Sequence, residues 1–527
     1  MSFVGSGTRK RRDANNAQSK IDPARKRRDA NNAQSKMSMT PPEPPPIKKG
    51  DELVLEIADA AFEGRTIGRV DNFVVFVDGG VPGDTAKVRI TKAKKSFAEA
   101  KVVSIEKPSP YRVEPSCKHF GPCGGCKWQH VDYAVQLRFK QQHVVDAFER
   151  IGGFSDLKVL PIIGSEEIFY YRNKMEYSFS EKEWLTTPPA DPTNANPEPQ
   201  TSNSKLEARD SRLFLGLHVP QRFDKVLEIT ECHLQSPQSN EILNFTRSFA
   251  RREKLEVCSP EGETGFLRFL VIRQSRRTNE LMVNLVTFTE DPAVMRKYAA
   301  ELRTAIPAVT TVVNTINPKK AQIAFGEREA LYAGEGVIHE RLGNLTFTIS
   351  SSSFFQTNTA QAERLYTVAR EFASLTQNDV VWDLYSGTGS IALFVADAVS
   401  QVVGVESVES AVRDAERNAR QNDVKNCTFV LGDLKDRLTK DREWISSHPK
   451  PNVMIVDPPR GGMHQKVVEE ILEIAPQRIV YVSCNHATQA RDVKLLASRY
   501  EVLALQPVDM FPHTYHVENV AQLVLRT

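Results

Sequence analysis

The residues best able to do chemistry lie near the end of the chain, where two short apolar runs stop abruptly in polar side chains. Residues 454–460 read Met-Ile-Val-Asp-Pro-Pro-Arg, and residues 479–485 read Ile-Val-Tyr-Val-Ser-Cys-Asn. The first motif offers a carboxylate, Asp457, on a stiff turn. The second offers a thiol, Cys484, which is a nucleophile in its thiolate form. Together they predict an enzyme in which the Cys484 sulfur attacks a pyrimidine ring.

Both apolar runs are predicted to be buried parallel strands. Each is rich in β-branched residues and shows no alternation with polar residues, which is typical of a strand covered on both faces. Parallel strands of an open α/β sheet bring their carboxyl ends to one edge, and ligands bind at that edge. We therefore expect Asp457 and Cys484 to lie on neighbouring strands beside one cleft.

A cofactor cradle is predicted upstream on the same sheet. Residues 380–390 read as a strand, a glycine-rich turn and a helix start, and the next strand ends at Glu406, placed to accept from two ribose hydroxyls. The glycine spacing also fits NAD. S-adenosylmethionine is favoured because Asp383 and Ser386 precede the first glycine, where a carboxylate would repel a pyrophosphate but attract an ammonium. A third strand ends near Asp433, which suits the adenine edge.

The predicted acceptor is C5 of uracil, a carbon too weakly nucleophilic to take a methyl group unaided. A thiolate that adds to C6 makes C5 enolate-like, and a base must later remove the C5 proton so that the thiol can leave. Cys484 would need a nearby cation such as Arg460, because an ordinary cysteine is mostly protonated at neutral pH. Glu518 is the predicted base, with His513 and His516 as alternatives.

A second group of cysteines predicts a metal site. Cys117, Cys123 and Cys126 stand within ten residues beside several glycines, and Cys232 lies far downstream. Such clustering in a reducing compartment indicates ligands, and three close thiolates with one remote thiolate are typical of iron–sulfur clusters. The spacing is not that of radical enzymes, so we expect a structural role. Zinc remains the alternative because histidines lie nearby. These histidines are His119, His130 and His233.

Composition narrows the class of protein. A chain of 527 residues with 40% hydrophobic content can bury more than one core. No apolar run approaches the roughly 18 residues of a membrane span, and no apolar block follows the basic start, so we expect a soluble protein without a secretory signal. The net charge of +3 divides into +6 over residues 1–46 and −3 over the rest. An RNA-binding surface on the body must therefore be a local patch.

The N-terminal part of the chain is predicted to form two regions. Residues 1–46 carry a repeated Arg-Lys-Arg-Arg segment and few apolar residues, which predicts a disordered basic tail. Residues 47–107 alternate short strands with turns, which predicts an OB-like barrel. Lys87 and Arg89 share one strand face there and more lysines follow. This cluster is either an RNA-phosphate contact or an ordinary charged face.

The remainder is predicted to be multidomain α/β. Residues 108–345 indicate a mixed α+β central domain that would hold the cysteine cluster. A proline-rich stretch at 187–211 interrupts it and predicts a disordered surface insertion. Residues 346–527 show the strand and helix order of a Rossmann-like catalytic domain.

These motifs, taken in order, resemble the RNA uracil-5-methyltransferase family of class I S-adenosylmethionine-dependent enzymes. The resemblance runs from about residue 50 to the end, and the barrel is similar to the TRAM domain found on RNA-modifying enzymes. The motifs that carry the resemblance are residues 117–129, 171–176, 222–226, 355–358, 383–389, 457–460, 483–485 and 513–518.

The resemblance implies roles for individual residues. Cys484 would be the nucleophile and Glu518 the base, and a [4Fe–4S] cluster would be held by Cys117, Cys123, Cys126 and Cys232. The residues matching positions that line the donor pocket are Gln356, Tyr385, Ser390, Glu406, Asp433 and Asp457. Many relatives have Asn or Cys where this chain has Ser386 and Ser390, and Asp433 replaces a residue that is often uncharged.

The resemblance also implies an RNA substrate, either rRNA or tRNA, and no membrane or protein partner. We expect a monomer in the cytoplasm, although the basic tail is compatible with a nuclear or organellar address. Two other functions compete with uridine methylation. Cytosine-5 methyltransferases generally carry a cysteine in or beside the motif at 457–460, which has none here. A non-catalytic iron–sulfur RNA chaperone is the second alternative.

Overall fold

The structure is a computed structural model, and its first described unit is a five-stranded barrel. The described residues are 47–184, 213–219, 222–259 and 263–526, so the predicted tail and the predicted insertion lie outside them. The barrel is closed in the order β1-β2-β3-β5-β4. Its strands are β1 (Glu52–Ala60), β2 (Thr66–Val70), β3 (Phe73–Asp78), β4 (Thr85–Ala93) and β5 (Phe97–Lys107).

The barrel confirms the small-barrel prediction and adds one strand to it. Side chains along each strand alternate between the inside and the outside of the barrel, and those that face inward, such as Val75, Val77 and Val88, are fully buried. The sequence indicates four of the strands through long apolar alternation. β2 has only five residues, including Gly68, so its pattern is too short to stand out.

Helix α1 (Tyr133–Ala147) follows the barrel, and a π-helical turn over Phe148–Gly152 extends it. The Asp132 side chain caps its start by accepting from two backbone amides. Although α1 precedes the central sheet in the chain, Val144 packs in one core cluster with Trp382 of the C-terminal sheet. This helix therefore joins the middle of the chain to the predicted catalytic region.

A seven-stranded sheet in the order β12-β11-β10-β9-β6-β7-β8 forms the middle of the molecule. Its strands are β6 (Lys174–Ser180), β7 (Phe214–Val219), β8 (Arg222–Glu228), β9 (Leu267–Gln274), β10 (Leu281–Thr287), β11 (Thr311–Ile316) and β12 (Arg328–Ala333). Helices α2 (Pro237–Arg252) and α3 (Pro292–Ala305) contribute to its core. Both helices begin with a side-chain cap followed by proline, which suits the first helical turn.

The hairpin β13 (Val337–Leu342) and β14 (Leu345–Ser350) leads into the C-terminal sheet, ordered β17-β16-β15-β18-β19-β21-β20. The strands are β15 (Val380–Leu384), β16 (Gln401–Glu406), β17 (Cys427–Leu431), β18 (Val453–Val456), β19 (Arg478–Ser483), β20 (Tyr500–Val508) and β21 (Glu518–Leu525). The helices are α4 (Thr359–Ala373), α5 (Ser390–Val395), α6 (Glu409–Gln421), α7 (Leu434–Lys440), α8 (Arg442–Ser447), α9 (Gln465–Ile474) and α10 (His486–Leu496).

The C-terminal sheet has the predicted Rossmann-like form. Strands β15 to β19 run parallel, whereas β21 runs antiparallel to both β19 and β20. Because of this reversal, the start of β21 lies at the same edge as the end of β19, where Ser483 pairs with Asn519. Among the described residues, no helix is long and apolar enough to cross a membrane.

Candidate active site

The predicted site residues follow the strands to one edge of the C-terminal sheet. Asp457 comes directly after β18, and Cys484 directly after its neighbour β19. Glu518 opens β21, one position beyond the Ser483–Asn519 pair, so the β19–β21 register brings it opposite Cys484. The expectation that these three residues meet at one edge agrees with the strand order.

The glycine-rich turn after β15 forms an open cradle. Tyr385 and Gly387 both have positive φ, 68° and 54°, and a Cβ at Gly387 would meet no atom within 4 Å. The Glu406 carboxylate, at the end of β16, accepts a hydrogen bond from Gly387 N at 3.0 Å. Its other oxygen accepts from the amides of Ser407 and Val408. The Ser407 hydroxyl also donates to that oxygen, so Glu406 fixes the turn and keeps free capacity for a further donor at Oε2.

Two buried polar atoms in this cradle lack partners. Asp383 Oδ2 accepts from Ala392 N at 3.0 Å, but Asp383 Oδ1 and Ser386 Oγ have no hydrogen-bond partner. Burial, reinforced by Asp457, raises the pKa of Asp383 to about 8. Since buried polar atoms are normally satisfied, these two indicate a missing polar ligand with donor groups. An ammonium meets that need, so the residues present fit S-adenosylmethionine.

The other predicted donor contacts differ in their surroundings. Ser390 Oγ shares a hydrogen bond of 3.0 Å with the hydroxyl of buried Tyr366, which occupies part of its capacity. Asp433 is exposed and caps α7 by accepting from Asp436 N at 3.2 Å. Tyr385 is half-buried at the strand end, and burial raises the pKa of its hydroxyl.

Gln356 lies in the loop before α4 and is held by Asn173 of the central region. The Asn173 amide donates to Gln356 O at 2.9 Å and to Thr359 Oγ1 at 3.0 Å, while Asn173 N donates to Thr357 O at 2.8 Å. Arg273 of β9 supports the same loop by donating to the carbonyls of Ser351 and Ser353. The central sheet therefore positions the loop that carries Gln356.

Cys484 is half-buried among charged side chains. Burial, together with Glu518 and Asp457, raises the pKa of its thiol to about 11, and Arg460 opposes this rise by charge and by a hydrogen bond to the sulfur. The Asn485 amide donates to Arg460 O at 3.0 Å, so the residue after the thiol holds the Asp-Pro-Pro-Arg turn in place. Arg460 is the cation that the sequence predicted for this thiol.

Three carboxyl groups crowd this edge. Burial raises the pKa of Asp457 to about 7. Burial and Asp457 raise the pKa of Glu518 to about 8, against the lowering effect of Arg460. With Asp383, these groups form an acidic pocket that favours cationic ligands and holds protons near neutral pH.

The two histidines predicted as alternative bases are placed differently from Glu518. His513 stacks on Phe169 with ring centroids 4.4 Å apart and binds Gln136 through Nδ1. Burial lowers the pKa of both His513 and His516 to about 4, and the charge of Arg460 contributes for His516. Neither histidine is among the groups that perturb the Cys484 thiol, whereas Glu518 is.

The four predicted cluster ligands surround one cavity. Cys117, Cys123, Cys126 and Cys232 all line it, with mainly apolar neighbours. Among the described residues, no group of three or more His, Cys, Asp or Glu side chains is arranged to hold a single metal ion. The sulfurs of Cys123 and Cys126 already accept weak N–H bonds, from Gly125 N and the Gln129 amide, both at 3.4 Å.

This arrangement tests the metal hypotheses. A four-iron cluster is larger than a single ion, so its ligands stand apart around a cavity and accept N–H bonds at sulfur. The shared cavity and the N–H bonds at two of the sulfurs are compatible with such a group. His119 and His233 line the cavity but bind Thr230 and Tyr170, and His130 is not among the lining residues.

The basic cluster on the barrel is largely paired. Lys87 and Arg89 both contact the Glu52 carboxylate, at 2.9 and 2.6 Å. Lys92 contacts Glu99 at 3.2 Å. These pairs lower the net positive charge of this face, so its description as an RNA-phosphate contact stays a prediction.

Comparison with known proteins agrees with this geometry. A sequence model of the family described as tRNA (Uracil-5-)-methyltransferase matches residues 268–526, and the TRAM domain matches residues 46–103. An "Uncharacterized RNA methyltransferase" of Porphyromonas gingivalis is 44% identical over 477 residues, 90% of this chain and 100% of the relative. The chain belongs to this methyltransferase family. It is an RNA (uracil-5-)-methyltransferase that uses S-adenosylmethionine.

Further similarities extend over nearly the whole chain. A protein of the same description from Bacteroides thetaiotaomicron is 43% identical over 469 residues, 88% of this chain and 100% of the relative. The crystal structure of Pyrococcus abyssi tRNA (uracil-54, C5)-methyltransferase in complex with S-adenosyl-L-homocysteine matches with a TM-score of 0.65 at 28% identity. That match covers 90% of this chain and 100% of the other.

Sequence reasoning missed several residues that hold the site together. Asn173, Tyr366, Lys140 and Asp509 were not singled out, yet they bind or neighbour predicted site residues. One signal was available for Lys140. It lies one helical turn from both Gln136 and Val144 on the buried face of α1, where a lysine needs a partner.

Proposed function

We propose that this enzyme methylates C5 of a specific uridine in structured RNA through a transient bond between Cys484 Sγ and C6 of the base. The observation that carries the proposal is the register of β19 and β21, which brings Cys484 opposite Glu518. The guanidinium of Arg460 lies close enough to lower the pKa of the thiol. A nucleophile, a cation that stabilises its thiolate and a carboxyl base are thereby gathered in one place.

Arg460 supplies the activation that Cys484 needs. The guanidinium favours the thiolate, whereas Glu518 and Asp457 disfavour it. Binding of the cationic methyl donor beside Asp457 offsets that negative charge, so the thiolate forms more readily once the donor is present. Nucleophile formation and donor binding therefore support one another.

The proposed reaction proceeds by addition to C6, methyl transfer to C5 and elimination of the thiolate. The Cys484 thiolate adds to C6, forming an S–C6 bond and moving the C5=C6 electron pair onto C5 and the C4 carbonyl. The C5 electron pair then forms a bond to the methyl group that S-adenosylmethionine would supply, while the sulfonium–methyl bond breaks and S-adenosylhomocysteine is left. Glu518 in its carboxylate form then takes the C5 proton. The C5–H electrons re-form C5=C6, and the S–C6 bond breaks to return the thiolate.

Donor-pocket roles are proposed for the six predicted residues and also for Asp383 and Ser386. Asp383 and Ser386 supply the unsatisfied oxygens that suit the ammonium, and Glu406 suits the ribose hydroxyls. The full predicted set remains Gln356, Tyr385, Ser390, Glu406, Asp433 and Asp457. Asp433 and Ser390 keep one hydrogen-bonding partner within the protein, so they contribute with their remaining capacity.

We also propose that Cys117, Cys123, Cys126 and Cys232 hold a [4Fe–4S] cluster. The support is their shared cavity and the N–H bonds at two sulfurs. Burial raises the pKa of both Cys123 and Cys126 to about 12, so these thiols stay protonated unless a metal replaces their protons. The cluster would be structural and takes no part in the methyl transfer.

The proposed substrate is a structured RNA. The Pyrococcus abyssi relative is a tRNA (uracil-54, C5)-methyltransferase, and this chain is proposed to modify tRNA or rRNA at a flipped uridine. We propose a cytoplasmic monomer with domains at 47–107, 108–345 and 346–527. The TRAM barrel and the central domain would bind the RNA around the target base.

Release of tritium from RNA labelled at uracil C5 tests the function. Wild-type protein with S-adenosylmethionine should release label, and Cys484→Ala should release none. Cys427→Ala is a matched control, because Cys427 lies in β17 rather than at the thiol site. Label release by Cys484→Ala would refute the nucleophile, and absence of release from any RNA would favour a non-catalytic RNA chaperone. Methylated cytosine instead of uridine would identify the cytosine-5 alternative.

A further inference from the structure

The segment that delivers Glu518 has no regular secondary structure of its own. β20 ends at Val508 and β21 begins at Glu518, so nine residues join the two strands. An irregular segment is fixed only by its contacts, and Glu518 must be held within a fraction of an ångström to take a proton efficiently. Glu518 itself pairs with Val508 of β20, so the contacts of residues 509–517 act together with this strand pairing to set the geometry of the proposed base.

A fully buried ion pair anchors the start of this segment. Lys140 Nζ of α1 contacts Asp509 Oδ1 at 2.5 Å, and both side chains have 0% exposure. Lys140 also donates to Phe511 O at 3.0 Å. Asp509 Oδ2 accepts from Tyr133 OH at 2.8 Å, and Asp509 Oδ1 accepts from Phe511 N at 3.0 Å. The pair thus binds both the side chains and the backbone of the segment.

A second set of hydrogen bonds fixes the middle of the segment. His513, which has a φ of 65°, donates its backbone N–H to Gln136 Oε1 at 2.9 Å. Its carbonyl accepts from the amides of Lys127 and Trp128, directly after Cys126, at 2.9 and 3.0 Å. Tyr171 OH donates to Pro512 O at 3.0 Å. Helix α1 and the cysteine-rich loop together form the support on which the segment rests.

Burial of an ion pair is a costly way to gain stability. Desolvating two charges offsets much of their attraction, and an apolar pair of similar volume often stabilises a fold as well. An ion pair does add direction, because its hydrogen bonds admit few geometries. Lys140 and Asp509 lie 369 positions apart, so their bond also joins α1 to the last part of the chain. These features fit a role in orientation.

We propose that the Lys140–Asp509 ion pair is a positioning element for proton abstraction, which holds residues 509–517 so that Glu518 reaches the C5 proton of the methylated adduct. The proposal rests on the proposed function, because it assumes the adduct and the role of Glu518. It assigns neither residue to contact with RNA. Cys484 follows β19 and is not part of this segment, so formation of its adduct should survive loss of the pair.

The variants Lys140→Met and Asp509→Asn test this role with RNA that carries ordinary uridine. Both should accumulate a denaturation-resistant protein–RNA complex in the presence of S-adenosylmethionine, because the adduct forms but loses its C5 proton slowly. Release of tritium from C5 should fall roughly 10- to 100-fold, the usual cost of a displacement near 1 Å. The wild type should show no accumulation.

Asp379→Asn is the matched control. Asp379 is nearly buried and binds Arg478 at 2.7 Å, but it precedes β15 and so lies at the opposite edge of the sheet. This variant should lose some stability without accumulating adduct. Tyr133→Phe removes one of the hydrogen bonds to Asp509, together with the bond that the hydroxyl accepts from Ser165 N, and leaves the ion pair in place. It should accumulate less adduct than Lys140→Met. It carries the test if Lys140→Met does not fold, as judged by thermal melting.

Parallel loss of adduct formation and turnover in a folded Lys140→Met protein would overturn the proposal, since that outcome marks a merely structural role. Wild-type turnover in folded Lys140→Met would also overturn it. If Lys140→Met does not fold, the absence of adduct accumulation in folded Tyr133→Phe would overturn it. Failure of the proposed function is distinguishable. In that case even the wild type would form no complex with RNA containing 5-fluorouridine, whose C5 fluorine cannot be removed as a proton.

Discussion

Replacement of Arg460 should slow formation of the Cys484 adduct in a manner that higher pH reverses. Arg460 is the group that lowers the pKa of this thiol, through charge and a hydrogen bond, while burial, Glu518 and Asp457 raise it to about 11. A hydrogen bond to a charged group contributes roughly 1.5–3 kcal/mol. Because Cys484 is only half-buried, water screens part of this contribution, which leaves about 1.4 kcal/mol, or one pKa unit.

The expected result for Arg460→Met is therefore about a tenfold lower rate of adduct formation at pH 7.5, since one pKa unit is a tenfold change in thiolate. Both rates should rise about tenfold per pH unit below the thiol pKa, so Arg460→Met at about pH 8.5 should reach roughly the rate of the wild type at pH 7.5. Arg460→Lys should recover part of the rate by restoring the charge. The assay is the rate of covalent complex formation with RNA containing 5-fluorouridine, followed by denaturing electrophoresis from about pH 6.5 to 10, a range that approaches the thiol pKa.

Two results would refute this reasoning. An Arg460→Met defect that disappears at saturating RNA concentration would mean that Arg460 binds RNA rather than activating the thiol. A wild-type rate in Arg460→Met would mean that another group stabilises the thiolate. Lys466→Met serves as a control for loss of an exposed positive charge, because Lys466 lies in the first turn of α9, six positions after Arg460 in the chain.

Three other predictions follow from the site. Affinity for S-adenosylmethionine should increase from about pH 6 to 9, because burial raises the pKa values of Asp383 and Asp457 to about 8 and 7 and a cation binds their deprotonated forms. Calorimetry should detect proton release when S-adenosylmethionine binds. The pH effect should be smaller for S-adenosylhomocysteine, which lacks the sulfonium charge. An affinity for S-adenosylmethionine that is independent of pH would contradict this prediction. Glu518→Gln should trap the methylated RNA adduct with ordinary uridine, seen as a stable complex on denaturing gels, whereas normal turnover would exclude Glu518 as the base. Cys123→Ser should lose bound iron and sulfide in anaerobically purified protein while Cys258→Ser, outside the thiol cavity, retains them; equal iron content would contradict the cluster.

Much of the catalytic sheet could be predicted because its strands are locally encoded. Each catalytic strand is a β-branched run that ends in a distinctive polar residue, as at Asp383, Asp457 and Cys484. Parallel strands share one edge, so the strand ends predict a common site without any knowledge of long-range contacts. The predicted position of Glu518 at the start of the last strand also agrees with the structure.

The supports of the site could not be predicted, because they join residues that are far apart in the chain. Asn173 holds Gln356 across 183 positions, and Lys140 holds Asp509 across 369. Neither pair has a local signature that identifies its partner. The pairing of Lys87 with Glu52 is likewise a property of neighbouring barrel strands, so a basic run in the sequence overstated the positive charge of that face.

Contacts between the central region and the catalytic region also join residues that are distant in the chain. Helix α1 precedes the central sheet in the chain but packs against the catalytic sheet, and the loop after Cys126 binds the carbonyl of His513. The cysteine-rich loop thus supports the segment that carries Glu518. This contact gives the proposed cluster a physical route to influence the base without taking part in the chemistry.

The most direct test of the account is the chemical identity of the protein atom bound to the base. RNA containing 5-fluorouridine, incubated with the wild-type protein and S-adenosylmethionine, should give a stable complex that is digested and sequenced by mass spectrometry. The account predicts a single modified residue, Cys484, joined to C6 of a fluorinated uracil that already carries the methyl group. A bond to any other side chain, or methylated uridine produced without any covalent complex, would contradict it.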